Sequence, residues 1–182
     1  NHFKSKGSGV NDGTGQGNAN PDRIAQAEAV AAFADSFSAE RGVDAVFLTG
    51  DFNAYSKEDP VQVLESEGFA NLNSDQEGDW SYNFEGQVGS LDHVFANAAA
   101  QAFVRGVDVW EINANETVFN QYSRFNYNAA VLFDATTPFS ASDHNPEVVG
   151  LEFTTEEPEP QPVASTIKIT APKKVVVGKK AT

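Results

Sequence analysis

"AVFLTGDFNAY", residues 45–55, leads an apolar run into two oxygen-bearing side chains. The run that ends at Gly50 predicts a buried β-strand, one that can be covered on both faces. Asp51 and Asn53 follow it two positions apart, so on an extended segment their side chains share a face. A carboxylate and an amide placed there can hold a hard cation, a water molecule or a phosphate oxygen, or they can form an Asx turn that caps the strand.

A long helix is predicted before this strand. Asn20 and Pro21 are typical of an N-cap and a first helical residue, and Gly42 is typical of a helix end. The apolar residues that recur at helical spacing between them include Ile24, Ala27, Val30, Ala31 and Phe33. A second helix is predicted after the strand, from about Asp59 to Gly68.

Four further segments have the composition of β-strands, and they lie at residues 79–84, 90–97, 102–112 and 147–153. Helices and strands therefore alternate, with more strands toward the end of the chain. This order predicts an α/β or α+β domain over residues 1–153.

The charge and composition exclude several classes of protein. The net charge is −14, and the acidic excess lies in residues 1–153. A surface that bound nucleic acid by charge alone would be basic, so a polyanionic substrate would need local basic residues or bound cations. The absence of cysteine excludes disulfides and thiolate metal sites. No apolar run approaches the ~20 residues of a membrane span.

The composition changes after residue 153. Residues 154–165 are acidic and rich in proline, which predicts a linker. Residues 166–182 are basic and rich in β-branched side chains. They resemble the first strands of a bacterial immunoglobulin-like domain.

Each of the three histidines lies beside a carboxylate or an amide. His2 follows an asparagine, His93 follows Asp92, and His144 lies between Asp143 and an asparagine. In such a cluster Asp143 could bind a metal while His144 takes or gives a proton, and Asp92 could orient His144. The alternative for each is a hydrogen-bonded structural histidine, a polar turn or a solvated strand residue.

Lys4 and Lys6 form the densest positive charge in residues 1–153. They precede a loop rich in glycine and asparagine, residues 7–20, that is too glycine-rich for a helix or a strand. The two lysines could contact phosphate groups, and the alternative is an ordinary basic loop.

Four motifs in this order resemble one family. They are N-H-F-K-S at residues 1–5, G-D-F-N-A at 50–54, S-L-D-H at 90–93 and S-D-H-N-P at 142–146. Together they resemble the endonuclease/exonuclease/phosphatase superfamily of metal-dependent phosphodiesterases, typified by pancreatic deoxyribonuclease. The large bacterial extracellular nucleases are the most similar members, because they also follow the first motif with a glycine-rich loop. The resemblance covers residues 1 to about 153.

The resemblance implies a four-layered α/β sandwich, in which two packed mixed sheets are flanked by helices. It also implies the roles of several side chains. His2 and His144 match the two catalytic histidines of the family. Asp92 matches the carboxylate that supports the second of them.

The same resemblance implies a cation site and a substrate site. Asp51 and Asn53 match the pair that binds phosphate, metal or the attacking water, and Asp143 matches a metal ligand. Lys4 and Lys6 would contact the substrate together with Asn53. The implied cation is Mg²⁺, with Mn²⁺ or Ca²⁺ as alternatives. The implied substrate is nucleic acid, first of all DNA, and the implied location is outside a bacterial cell or on its surface.

In this family an asparagine motif and a metal-binding glutamate lie on strands before the N-H-x-K-S motif. The chain therefore matches the C-terminal half of the domain, and we expect residues 1–182 alone to be inactive or barely folded. Two alternative functions fit the same sequence pattern. One is hydrolysis of a lipid headgroup or an inositol phosphate by the same chemistry. The other is a secreted calcium-binding or adhesive module without catalysis.

Overall fold

The structure is a computed structural model that describes residues 1–72, 79–116 and 136–153. The linker predicted at 154–165 and the immunoglobulin-like start predicted at 166–182 lie outside these residues. The described elements, in chain order, are α1 (Asn20–Arg41), β1 (Phe47–Asp51), α2 (Asp59–Ser66), β2 (Ala70–Asn71), β3 (Tyr82–Phe84), β4 (Gln87–Gly89), β5 (Asp92–Ala96), α3 (Ala98–Gln101), β6 (Val104–Val109) and β7 (Glu147–Leu151).

Helices and antiparallel sheets combine into a mixed α/β fold. The largest sheet has the order β1-β5-β2, and two further sheets pair β3 with β4 and β6 with β7. Strand β5 contacts β7, so the first and third sheets meet. No helix in the described part of the chain is long and apolar enough to cross a membrane.

Helix α1 packs one stripe of small residues into the core. Ala27, Ala31 and Ala34 recur at helical spacing and are buried, which lets the helix approach the aromatic side chains beneath it closely. Phe52 contacts Phe95 edge-to-face at 5.0 Å between ring centroids in that core. Phe33, by contrast, is 61% exposed on the opposite side of the helix.

The start of α1 differs from the prediction. Ala19 occupies the N-cap position in a left-handed conformation, and Asn20 is already inside the helix. The Asn20 amide is buried and donates to Asp12 and Asp59 instead of capping the helix. It therefore ties the glycine-rich loop to α2. The predicted end is confirmed, because Gly42 has the positive φ that a helix end favours.

The prediction of a strand covered on both faces is wrong for β1. Leu48 is buried, but Thr49 is exposed, as in a strand with one covered face. Val94 on β5, the direct cross-strand partner of Thr49, is buried. The two strands differ in burial because β5 is the central strand of the sheet and is the one that β7 contacts.

Candidate active site

Two carboxylates meet where β1 ends and β5 begins. Asp51 and Asp92 are direct partners in the antiparallel register, so their side chains project to the same side of the sheet. The first residues of the chain lie beside them. The Phe3 amide donates to the Asp51 carbonyl at 2.9 Å, and His2 Nε2 lies 3.4 Å from Asp51 Oδ2 with its side chain 75% exposed.

A tight turn joins Asp51 to Asn53. Asp51 Oδ1 accepts from the Asn53 amide N–H at 2.7 Å, and Asp51 Oδ2 accepts from Asn53 Nδ2 at 3.0 Å. Asn53 adopts a left-handed φ of 47° and also donates to the Phe3 carbonyl at 3.1 Å. The Asx turn is thus present, and it fixes the amide beside the carboxylate.

The environment of Asp51 disfavours its charged form. Burial raises the pKa of the Asp51 carboxyl, and the charge of Asp92 raises it further. The Asn53 amide, His144 and His2 act in the opposite direction without outweighing burial. A cation beside this pair of carboxylates would relieve their repulsion.

His144 forms a hydrogen-bonded pair with Asp92. His144 Nδ1 lies 2.6 Å from Asp92 Oδ2. A carboxylate only accepts hydrogen bonds, so Nδ1 carries the proton and Nε2 is left to accept one. Ser81 Oγ donates to the same Asp92 oxygen at 2.7 Å and accepts from the amide N–H groups of Leu91 and Asp92 at 3.1 Å each. Ser81 therefore links the Asp92 carboxylate to the backbone N–H groups at the start of β5.

The charges around His144 favour its protonated form. Burial lowers the pKa of the imidazole, but the hydrogen bond and the charge of Asp92 outweigh it, with smaller contributions from Asp143 and Asp51. The net pKa lies above the ordinary value of 6.5. The Tyr82 ring stacks on the imidazole at 4.4 Å between centroids, which restricts the orientation of His144.

A buried asparagine positions the segment that carries His144. The Asn145 amide N–H donates to the Ser81 carbonyl at 2.7 Å, and its side-chain oxygen accepts from the amides of Asn113 and Ala114 at 3.0 and 2.8 Å. Asn113 Nδ2 in turn donates to the His144 carbonyl at 2.7 Å. The backbone on either side of His144 is thereby fixed to the β3 hairpin and to the chain after β6.

Asp143 is half-buried next to His144 and contributes its charge there. Within residues 1–72, 79–116 and 136–153, no three His, Cys, Asp or Glu side chains gather around one point as a ready metal site. The metal role predicted for Asp51 and Asp143 stays a prediction.

His93 is a structural residue. Its side chain is buried, its Nε2 lies 2.7 Å from the Ala54 carbonyl, and its Nδ1 lies 3.1 Å from Asn71 Nδ2. Nε2 must donate to the carbonyl, so Nδ1 accepts from the amide. Burial lowers the pKa of His93, which favours the neutral ring. It points away from the pair formed by Asp92 and His144.

The two lysines differ in their surroundings. Lys6 Nζ pairs with the Glu58 carboxylate, donates to the Gln16 carbonyl at 2.8 Å and lies 5.0 Å from the centre of the Tyr55 ring. Burial lowers the pKa of Lys6 although Glu58 opposes the effect. Lys4 Nζ donates to the exposed Ser8 hydroxyl at 2.6 Å. A phosphate contact by Lys6 would require exchange of Glu58, whereas Lys4 holds only a weaker surface bond.

A cavity of about 340 Å³ lies beside these groups. The lining side chains that matter here are Lys6, Asn53, Tyr55, Tyr82, Phe84 and His144. It places the imidazole, the turn amide and three aromatic rings around one space. Ser81, Tyr82 and Phe84 were not singled out as site residues from the sequence, although they lie in the predicted strand at residues 79–84.

Comparisons with protein families, with curated proteins and with solved structures gave no match.

Proposed function

We propose that this protein is a metal-dependent phosphodiesterase that hydrolyses nucleic acid, an extracellular nuclease of the endonuclease/exonuclease/phosphatase superfamily. The observation that carries the proposal is the 2.6 Å hydrogen bond from His144 to Asp92 beside the Asp51–Asn53 turn. A histidine oriented by a carboxylate is an arrangement suited to general base catalysis. His144 lines a cavity that an extended phosphodiester could enter.

In the proposed mechanism His144 removes a proton from the attacking water through Nε2. Asp92 holds the proton on Nδ1 and stabilises the imidazolium that forms. Asn53, fixed by Asp51 and the Phe3 carbonyl, orients the water or a phosphate oxygen. His2, whose exposed side chain lies 3.4 Å from Asp51 Oδ2, assists the leaving oxygen.

The residues present suit Mg²⁺, with Mn²⁺ and Ca²⁺ as alternatives. Proteins commonly hold Mg²⁺ by one or two carboxylates while the ion keeps several waters and contacts phosphate. Asp51 and Asp143 would supply those carboxylates, and the Asp51 pair with Asp92 has charge that a cation would neutralise. When bound, the ion would polarise the phosphoryl oxygen. Further ligands would be water, substrate or the glutamate that the resemblance implies.

We also propose that the complete domain is a four-layered α/β sandwich. The four-layered sandwich is supported by the contact between β5 and β7 and by the helices that pack on the β1-β5-β2 sheet. In that arrangement the C-terminal half of the domain supplies His2, Asp51, Asp92 and His144, and the preceding half supplies the asparagine motif and the glutamate. Secretion from a bacterium or display on its surface follows from the resemblance alone.

The test is hydrolysis by the full-length protein. Plasmid DNA in Mg²⁺ should be nicked, and EDTA should abolish the nicking. Parallel assays with sphingomyelin and with an inositol phosphate separate nucleic acid from headgroup substrates. Hydrolysis of a headgroup without nicking would move the proposal to the first alternative function. Calcium-dependent thermal stability without any hydrolysis would favour the non-catalytic module.

A further inference from the structure

Two aromatic rings lead outward from His144. The Tyr82 ring stacks on the imidazole at 4.4 Å with 30° between the ring planes. The Phe84 ring lies 6.4 Å from Tyr82 with only 15° between the planes. Tyr82 and Phe84 lie on the same face of β3, as residues two apart on a strand do. Phe84 ends this series and is 55% exposed.

A tight hairpin holds Phe84 in place. Phe84 pairs with Gln87 across a two-residue turn of Glu85 and Gly86, which both have positive φ, at 51° and 82°. Two positive φ angles in a row are characteristic of the turn that matches the twist of a hairpin best. The hairpin also packs on the cavity, because Gly89 lies against the Tyr55 ring, where a Cβ would come within 2.7 Å.

We propose that Phe84 is a stacking subsite for an unpaired nucleobase next to the scissile phosphate. This inference rests on the proposed function and names its substrate class as single-stranded or frayed nucleic acid. Phe84 lines the same cavity as His144 and Asn53, so a chain whose phosphate reaches these groups passes the exposed ring. Each base has a π-face, so stacking on an aromatic side chain tolerates any sequence.

The geometry favours an unpaired base over a duplex. Inside a duplex each base face is covered by its neighbours, and an exposed ring can reach a face only at an end, a gap or a flipped nucleotide. The acidic charge of the protein disfavours binding to the phosphate backbone of any nucleic acid, so affinity has to come from another contact. Stacking supplies affinity that charge does not.

The experiment compares two single-stranded oligonucleotides with the full-length protein in Mg²⁺. One has ordinary bases throughout, and the other has abasic sugars on both sides of the scissile phosphate. Both present the same phosphodiester, so the ratio of their KM values measures the contribution of the bases. The wild-type protein should show a KM about tenfold lower for the oligonucleotide with bases, the effect expected of one stacked base.

Phe84→Leu keeps an apolar side chain but removes the π-face, and it should bring the KM ratio close to one. Phe84→Trp should keep the ratio at or above its wild-type value. Phe33→Leu is the matched control, because Phe33 is similarly exposed but lines no part of this cavity, and its ratio should equal that of the wild type. A Phe84→Leu ratio equal to the wild-type ratio overturns the inference.

Three outcomes separate this inference from the proposed function. If the wild-type protein neither nicks plasmid DNA nor hydrolyses either oligonucleotide, the proposed function fails. If it nicks the plasmid but hydrolyses neither oligonucleotide, the function stands and the single-stranded substrate class is rejected. If it hydrolyses both with equal KM, the function stands and the stacking subsite is rejected. Phosphatidylcholine vesicles test the other occupant of an exposed aromatic hairpin, and binding to them that Phe84→Leu abolishes would also overturn the inference.

Discussion

His144 Nδ1 lies 2.6 Å from Asp92 Oδ2, and Asp92 is the direct cross-strand partner of Asp51. The imidazole is therefore held by one carboxylate and faces the field of a second. Three chain segments that are far apart in sequence meet at this point.

Asp92→Asn should reduce kcat by about 10²-fold or more while the protein stays folded. An amide can donate as well as accept, so it no longer fixes the proton of His144 on Nδ1, and it does not stabilise the imidazolium. The measurement is DNA hydrolysis in Mg²⁺ at saturating substrate, with thermal unfolding as the check on folding. A loss of less than threefold would remove Asp92 from its assigned role.

Ser81→Ala should have a smaller effect on the same pair. The variant loses the 2.7 Å hydrogen bond to Asp92 and leaves the amides of Leu91 and Asp92 without their acceptor. We expect kcat to fall, and we expect the pH at which activity is half-maximal to move because Asp92 is less firmly placed against His144. Ser81→Thr keeps the hydroxyl and should restore both values. An unchanged pH profile in Ser81→Ala would mean that the serine acts on stability alone.

The stabilising effect of His144 should depend on pH in a definite direction. The pKa of His144 is higher in the folded protein than its ordinary value of 6.5. Its contribution is therefore complete below that value and disappears as the pH rises through the folded pKa. In EDTA, the free energy of unfolding of the wild type relative to His144→Gln should be larger near pH 6 than near pH 9. The buried His93 is present in both proteins, so its contribution to the pH dependence cancels in the difference. A difference that grows with pH would contradict the assignment.

Gly50→Ala should destabilise the site. A Cβ at Gly50 would lie 2.0 Å from the Asn1 carbonyl oxygen, and its φ of 143° is unfavourable for alanine. The first residues would have to separate from β1, which displaces His2 from Asp51. Gly13→Ala is the matched control, because Gly13 also has a positive φ but has no atom within 4 Å of such a Cβ. Thermal unfolding and hydrolysis should both be impaired more in Gly50→Ala than in Gly13→Ala, and equal losses would reject this explanation.

The local parts of the site followed from the sequence. The strand that delivers Asp51 and the turn to Asn53 depend on neighbouring residues, and the end of α1 at Gly42 depends on a single glycine. Asn20 was assigned wrongly because its amide binds Asp12 and Asp59, and the path of the loop that brings them together is not a local property.

The pairings over long distances did not follow from the sequence. The register that sets Asp51 opposite Asp92 depends on how β1 and β5 align, and no short pattern specifies it. The ion pair between Lys6 and Glu58 likewise depends on the fold of the glycine-rich loop. Ser81 has no distinguishing neighbour in the sequence, and only its contacts identify its role.

In the proposed mechanism His144 removes the proton from water, whereas His93 has a structural role. The most direct test is the rate of DNA hydrolysis in Mg²⁺ by His144→Ala and by His93→Gln, each per mole of folded protein. We expect His144→Ala to lose about 10²–10⁴-fold in rate with little change in thermal stability. We expect His93→Gln to lose about 1–3 kcal/mol of stability, because the Ala54 carbonyl is left poorly paired, and to keep most of its rate. Full activity in folded His144→Ala would show that His144 is not the base.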